Sequence, residues 1–191
     1  MNPPEILEVL EKRGAVLRGH FRLSSGRHSD VFVQKFRIFE DPRLTQRFGE
    51  SIAKLFGDEF DVVASPAVGA IVLGFATALA ADTRSVFAER VADRLELRRG
   101  FALGPHERTL VVEDVVTTGG SAREVVGLVR AAGATPVGVG ALLDRSDGTE
   151  GLDLGVPFRS LVRLETTSWA SEECPLCRDN MPVDDPGSRR L

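Results

Sequence analysis

The chain has 191 residues, enough for one compact unit with appendages, and is 42% hydrophobic and 27% charged, the balance of an ordinary globular protein. Its net charge of −4 argues against general nucleic-acid affinity. No apolar run reaches the roughly 18 residues of a membrane helix, and the acidic, amphipathic start MNPPEILEVLEKRG is wrong for a secretory signal, so no membrane partner and a cytoplasmic location are expected.

In chain order, Ile6, Leu7 and Leu10 have helical spacing over 4–13. The segment Phe21–Gln34 reads as an SSGRHSD loop followed by a short strand, VFVQ. Pro42–Phe56 repeats apolar residues at Leu44, Phe48, Ile52, Leu55 and Phe56 behind a proline, an amphipathic helix. DVVAS (61–65) predicts a strand, Gly69–Ala81 an apolar helix, and SVFAE (85–89) a strand. Residues 90–108 are highly charged with weak periodicity, which predicts a long mobile loop or β-arm. TLVVED (109–114) predicts a strand, Ser121–Ala132 a helix, Thr135–Leu143 a strand and VPFRSLVRL (156–164) the last strand. The tail from Thr166 is polar, with fraying expected after Pro182. Helices between short apolar strands predict an α/β fold, a parallel sheet covered on both faces.

The stretch LVVEDVVTTGGSA (110–122) concentrates the chemistry. LVV is a buried strand with Glu113 and Asp114 at its carboxyl end, where ligands bind in parallel α/β sheets. VTTGGS then turns into a helix, offering N–H groups, hydroxyls and a helix N-terminus to an anion. Acids beside an anion site are consistent with a sugar phosphate: hydroxyls donate to the carboxylates while the phosphate takes the turn. A ribose 5-phosphate satisfies both.

This pattern resembles the phosphoribosyl-diphosphate (PRPP) motif of type I phosphoribosyltransferases in every position. Four further segments, in order, resemble the orotate phosphoribosyltransferase family: GHFRLSSGRHSD (19–30), SPAVGA (65–70), FAER (87–90) and ALLDRSDG (141–148). The CPLC tail resembles a shorter bacterial and archaeal branch. The resemblance implies a type I phosphoribosyltransferase fold over residues 1–191: a small N-terminal hood (1–40), an α/β core (41–165) with a mobile catalytic loop at about 90–106, and a tail (166–191).

It also implies roles. Glu113 and Asp114 would hold the ribose hydroxyls, Thr117, Thr118, Gly119, Gly120 and Ser121 would cradle the 5-phosphate, and Val115 and Val116 would also belong to the PRPP-binding run. Arg90, with Arg94 and possible help from Arg98 and Arg99, would meet the pyrophosphate. Ala67, Val68 and Gly69 would offer it backbone groups. Orotate would lie against Thr117, Arg145, Ser25 and Gly26, the guanidinium of Arg145 suiting a planar anion. The implied catalytic residues are Arg90, Asp114 and Glu113. The implied cofactor is Mg²⁺, held mainly by PRPP oxygens and water rather than by side chains. The implied assembly is a homodimer whose loop closes over the neighbouring site.

Two departures stand out. Ser24 occupies a position where many relatives carry Lys, and the loop 90–104 has no Lys. Arginine binds pyrophosphate but is a poor proton donor, so His28 and His106 are the nearest candidates for moving a proton, although both read more simply as surface or structural residues. Cys174 and Cys177 form one CxxC, half a metal site; His20 and His106 have no adjacent ligand spacing, so two reduced thiols are favoured over a disulfide or a metal. Two rival readings are a transferase for another base and a non-catalytic PRPP sensor.

Overall fold

The structure, a computed structural model, describes residues 1–23, 25–57, 59–146 and 152–186. Its elements are α1 (Pro3–Lys12), β1 (Val16–Arg22), β2 (His28–Val33), α2 (Phe36–Phe39), α3 (Pro42–Phe56), β3 (Val62–Pro66), α4 (Ile71–Ala80), β4 (Arg84–Val91), β5 (Arg94–Leu97), β6 (Arg108–Val116), α5 (Gly120–Ala131), β7 (Thr135–Asp144), β8 (Phe158–Arg163), β9 (Ser168–Trp169), a 3₁₀ turn (Ser171–Glu173) and α6 (Pro175–Arg178). Among the described residues, no helix is long and apolar enough to cross a membrane.

The main sheet has strand order β5-β4-β3-β6-β7-β8. Strands β4, β3, β6, β7 and β8 run parallel, and β5 runs antiparallel to β4 at the edge. The parallel sheet expected from the sequence is present, with β5 added antiparallel at its edge. Only Ala92 and Asp93 separate β4 from β5, too few residues for a parallel crossover, so the chain must turn back as a hairpin. Ala92 takes the positive φ (50°) that such a turn needs. Of the two expectations for residues 90–108, the β-arm is the one formed here.

Helices cover both faces. On one, Phe48, Ile52 and Phe56 of α3 and Leu73 of α4 pack with Leu110, Val112 and Leu142 of the sheet. The chain enters α3 through Asp41, whose carboxylate accepts the Arg43 and Leu44 N–H groups, with Pro42 at the first helical position. On the other face Ala122, Val125, Val126 and Val129 of α5 pack with Val62, Val86, Val111 and Val139. The connections from β3 and β6 thus leave in opposite directions over opposite faces, which opens a crevice at the carboxyl ends of these two neighbours.

A second, three-stranded sheet, β1-β2-β9, is built where a loop was expected. His28, Ser29 and Asp30 belong to β2, paired antiparallel with β1, and β9 extends this sheet beyond the strand read as the last. Its Val16 and Val31 share a core with Ile6 and Leu10 of α1 and with α3. Trp169, half-buried, pairs with His28. The tail is held further than expected: the Asp184 N–H donates to His20 O and the Asp184 carbonyl accepts the Arg22 N–H. Residues beyond 186 lie outside the described chain.

Candidate functional site

Strand β6 is buried from Thr109 to Asp114 and delivers its two acids to the crevice. Alternation along the strand turns them to opposite sides. Glu113 lines a cavity of about 290 Å³ with Arg90, the run Val115–Ala122 and Glu124. Asp114, 1% exposed, lies on the side of the β3–α4 loop and the hood. Its Oδ1 accepts the Val115 N–H at 2.6 Å, and its Oδ2 pairs with Lys35 Nζ at 2.8 Å.

The floor of the cavity is the start of α5. Its N-cap is Gly119, left-handed at φ 73°, and no side chain caps the helix. The first N–H groups of α5 therefore lack an internal side-chain acceptor and face a cavity rimmed by the exposed Thr117 and Thr118 hydroxyls. Uncapped amides and the positive end of the helix dipole suit an anion.

Glu113 has the most displaced acidity in the site. Burial first, then the neighbouring Asp114 charge, push its carboxyl up to about 8. Below that pH the folded chain holds a proton that the unfolded chain releases above about 4.3. Stability from this group is complete below the unfolded value and is lost as pH rises through about 8. In Glu113→Gln the loss should vanish. Urea unfolding at pH 5.5 and 8 should show wild type losing up to about 1.4 kcal/mol per pH unit more than the variant in this window; parallel profiles would contradict the assignment.

Arg90, on β4, reaches the cavity as expected but is engaged. Its guanidinium donates to both oxygens of Glu124 at 2.9 and 3.1 Å and to Asp93 O at 2.9 Å. Glu124 also accepts the Leu95 N–H at 2.9 Å, so one carboxylate ties the β4–β5 hairpin to α5. Hydrogen bonding from Arg90 holds the Glu124 carboxyl below its ordinary value. Glu124 and Lys35 are the residues that the sequence reading missed.

The other predicted residues divide. Gly69 packs directly on the acid pair: a Cβ there would lie 2.0 Å from Asp114 Oδ2 and 2.6 Å from Lys35 Nζ. Ala67 and Val68 precede it in the same β3–α4 loop. Arg145 follows β7, and its N–H donates to Val116 O at 2.8 Å, which sets it beside Thr117. Ser25 and Gly26 form the turn of the β1–β2 hairpin, Gly26 at φ 80°, and neither lines the cavity. Arg94 is not brought in: its side chain is 82% exposed and pairs with Glu96. Arg99 pairs with Glu89. Ser24 and the end of ALLDRSDG lie outside the described residues.

Neither candidate histidine for proton transfer lines the cavity. His106 is an exposed turn residue ahead of β6, at the opposite end of that strand from its acids. His28 is buried with His20, Cys174 and Cys177, away from the cavity lining. His20, which has no adjacent ligand spacing in the sequence, gains His28, Cys174 and Cys177 as neighbours through folding.

No protein-family model matches the chain. It is 47% identical to the orotate phosphoribosyltransferase of Caldanaerobacter subterraneus subsp. tengcongensis over 192 aligned residues, covering 100% of both chains. It is 48% identical to that of Thermotoga maritima over 188, covering 97% of this chain and 99% of the other. Among solved structures, the orotate phosphoribosyltransferase of Aeropyrum pernix superposes with a TM-score of 0.71 at 28% identity, over 83% of this chain and 93% of that one. The acid pair, the uncapped helix and the full-length likeness agree: the chain belongs to the orotate phosphoribosyltransferase family.

Proposed function

We propose that the protein transfers the 5-phosphoribosyl group of PRPP to N1 of orotate, giving orotidine 5′-monophosphate and pyrophosphate for pyrimidine (UMP) synthesis in the cytoplasm. One observation carries the site assignment: Glu113 and the uncapped N-terminus of α5 face the same cavity, with Asp114 at the adjoining strand end. The 5-phosphate takes the amides of Thr118–Ser121 and the threonine hydroxyls, and the ribose hydroxyls take the two acids. Orotate lies against Thr117 and Arg145, with Ser25 and Gly26 of the hood closing on it.

During transfer the C1–pyrophosphate bond breaks as N1, its proton released to water, bonds to C1 with inversion, and positive charge builds on the sugar. Glu113 and Asp114 fix the ring beside that charge. Arg90 meets the charge growing on pyrophosphate by exchanging Glu124 for a phosphate oxygen. Lys35, paired with Asp114, keeps that carboxylate in place.

The residues suit Mg²⁺ carried in by the substrate. Asp114 has both oxygens committed, to Val115 and Lys35, so the side chains form no ready cage, as expected for an ion that keeps water and phosphate ligands. When bound, the ion would neutralise charge on the departing pyrophosphate.

The same reading takes residues 1–191 as one unit, supported by the core that the hood shares with α3. It also makes the protein a homodimer. Val68 and, on α4, Val72, Phe75 and Leu79 form an apolar stripe exposed by 47 to 71% and continuous with the β3–α4 loop. A second copy covers it, and residues 90–106 close over the neighbour's site, consistent with Arg94 projecting away from its own cavity. Sedimentation should give wild type at twice the chain mass and Phe75→Asp at one chain mass; a wild-type monomer would contradict the dimer.

Base choice tests the function. Orotate should be consumed with matched pyrophosphate release, while uracil, hypoxanthine, guanine and xanthine are not. Turnover of another base alone would overturn the roles given to Arg145, Ser25 and Gly26. PRPP binding without turnover of any base would favour a sensor.

A further inference from the structure

We propose that His20, His28, Cys174 and Cys177 form a closed structural Zn²⁺ site that fastens the C-terminal segment to the β1–β2 hairpin. One potential ligand atom from each residue lies within 4.8 Å of the other three. His20, His28 and Cys174 are buried and Cys177 is half-buried. Among the described residues, this is the one such group of three or more histidine, cysteine or acidic side chains.

The hydrogen bonds argue for an ion at its centre. His20 Nδ1 lies 2.8 Å from Met181 O. A carbonyl only accepts, so Nδ1 carries the proton and the neutral ring presents a bare lone pair at Nε2. Three atoms converge on it: His28 Nδ1 at 2.8 Å, Cys174 Sγ at 3.5 Å and Cys177 Sγ at 3.7 Å. Cys177 Sγ is also 3.2 Å from His28 Nδ1. One lone pair cannot serve three partners, but one cation can serve four ligands.

The two sulfur contacts to His20 Nε2, 3.5 and 3.7 Å, match an occupied site, while the His20–His28 contact of 2.8 Å would open by about 0.5 Å to admit the ion. Around a tetrahedral Zn²⁺ with ordinary bond lengths, N···N is about 3.3 Å, S···N about 3.6 Å and S···S about 3.8 Å. Ring nitrogen donating to a backbone carbonyl, as His20 does to Met181, is the usual support behind a metal-bound histidine. Two thiolates and two neutral imidazoles favour Zn²⁺ over Mg²⁺. Binding releases the two thiol protons, and the thiolates neutralise the dication, so a neutral unit is buried. Four protein ligands leave no open position, which makes the site structural. The site joins β1, β2 and α6, adding to the two-residue β2–β9 pairing, the Asp184 bridge, the Arg22–Asp185 ion pair and the Arg27 and Ser29 hydrogen bonds that hold the C-terminal segment to the hairpin.

The test is metal content in untagged protein, expressed with zinc and dialysed against metal-free buffer. Wild type should hold about one zinc per chain, and Cys177→Ser tenfold less. Asp114→Asn, altered in the proposed PRPP site, should hold as much as wild type. Co²⁺ in place of zinc should give visible bands of a tetrahedral ion with thiolate charge transfer, absent in Cys177→Ser. If that variant fails to fold, the wild-type measurements decide alone. Wild type with less than about a tenth of an equivalent and no Co²⁺ bands, or a folded Cys177→Ser with full zinc, would overturn the site. These readouts do not depend on phosphoribosyl transfer.

Discussion

Replacing Asp114 with Asn is expected to lower turnover by about 10²–10³-fold, the scale of removing one preorganised electrostatic contact. The amide keeps the shape of the carboxylate and still accepts the Val115 N–H, so the strand end persists. What disappears is the charge, and with it the partner of Lys35 Nζ. Lys35 is 36% exposed at its side chain and can turn to water, so the fold should lose no more than about 1–3 kcal/mol. Steady-state kinetics with thermal unfolding separates the effects. A folded variant with near-wild-type turnover would remove Asp114 from the reaction.

The smallest substitution should produce a comparably large effect. Gly69→Ala adds a single methyl, yet its carbon would fall 2.0 Å from Asp114 Oδ2 and 2.6 Å from Lys35 Nζ. Lys35 can swing away, but Asp114 is held by its own strand and by Val115. The β3–α4 loop or the carboxylate must then shift by about 1 Å or more, a displacement that can cost about 100-fold in rate. Turnover should fall by about that factor, with PRPP affinity falling too. An unchanged rate would mean that the loop gives way freely and that its packing on the acid pair has no part in catalysis.

The sequence revealed the parts of the site that are local. The strand, the acid pair, the glycine turn and the start of α5 fall within thirteen consecutive residues, and each follows a one-dimensional rule. What it hid was assembled from distant segments. Lys35 is one of only three lysines, a usable signal, but nothing in its neighbours points to Asp114. Arg90 and Glu124 are 34 residues apart, and His20 and Cys174 are 154 apart, so no spacing rule reaches either pair.

The sequence does not show strand β1, and it shows β5 only as one of two alternatives, for local causes. VLRGHFR of β1 mixes arginine, glycine and histidine into its period, and its histidine is buried because it meets cysteines, not because it is apolar. RLEL of β5 is four residues long with one fully buried side chain, too little for alternation to stand out among charges. The long helix Pro42–Phe56, with its proline start and full apolar stripe, formed as read.

The central claim is that PRPP sits across the carboxyl end of β6 with its phosphate on the start of α5. A crystal structure of wild-type protein with PRPP and Mg²⁺ tests it most directly. The account predicts the 5-phosphate on the amides of Thr118–Ser121, the ribose hydroxyls on Glu113 and Asp114, and the pyrophosphate toward Ala67–Gly69 and Arg90. PRPP bound elsewhere, or with its phosphate away from α5, would contradict it.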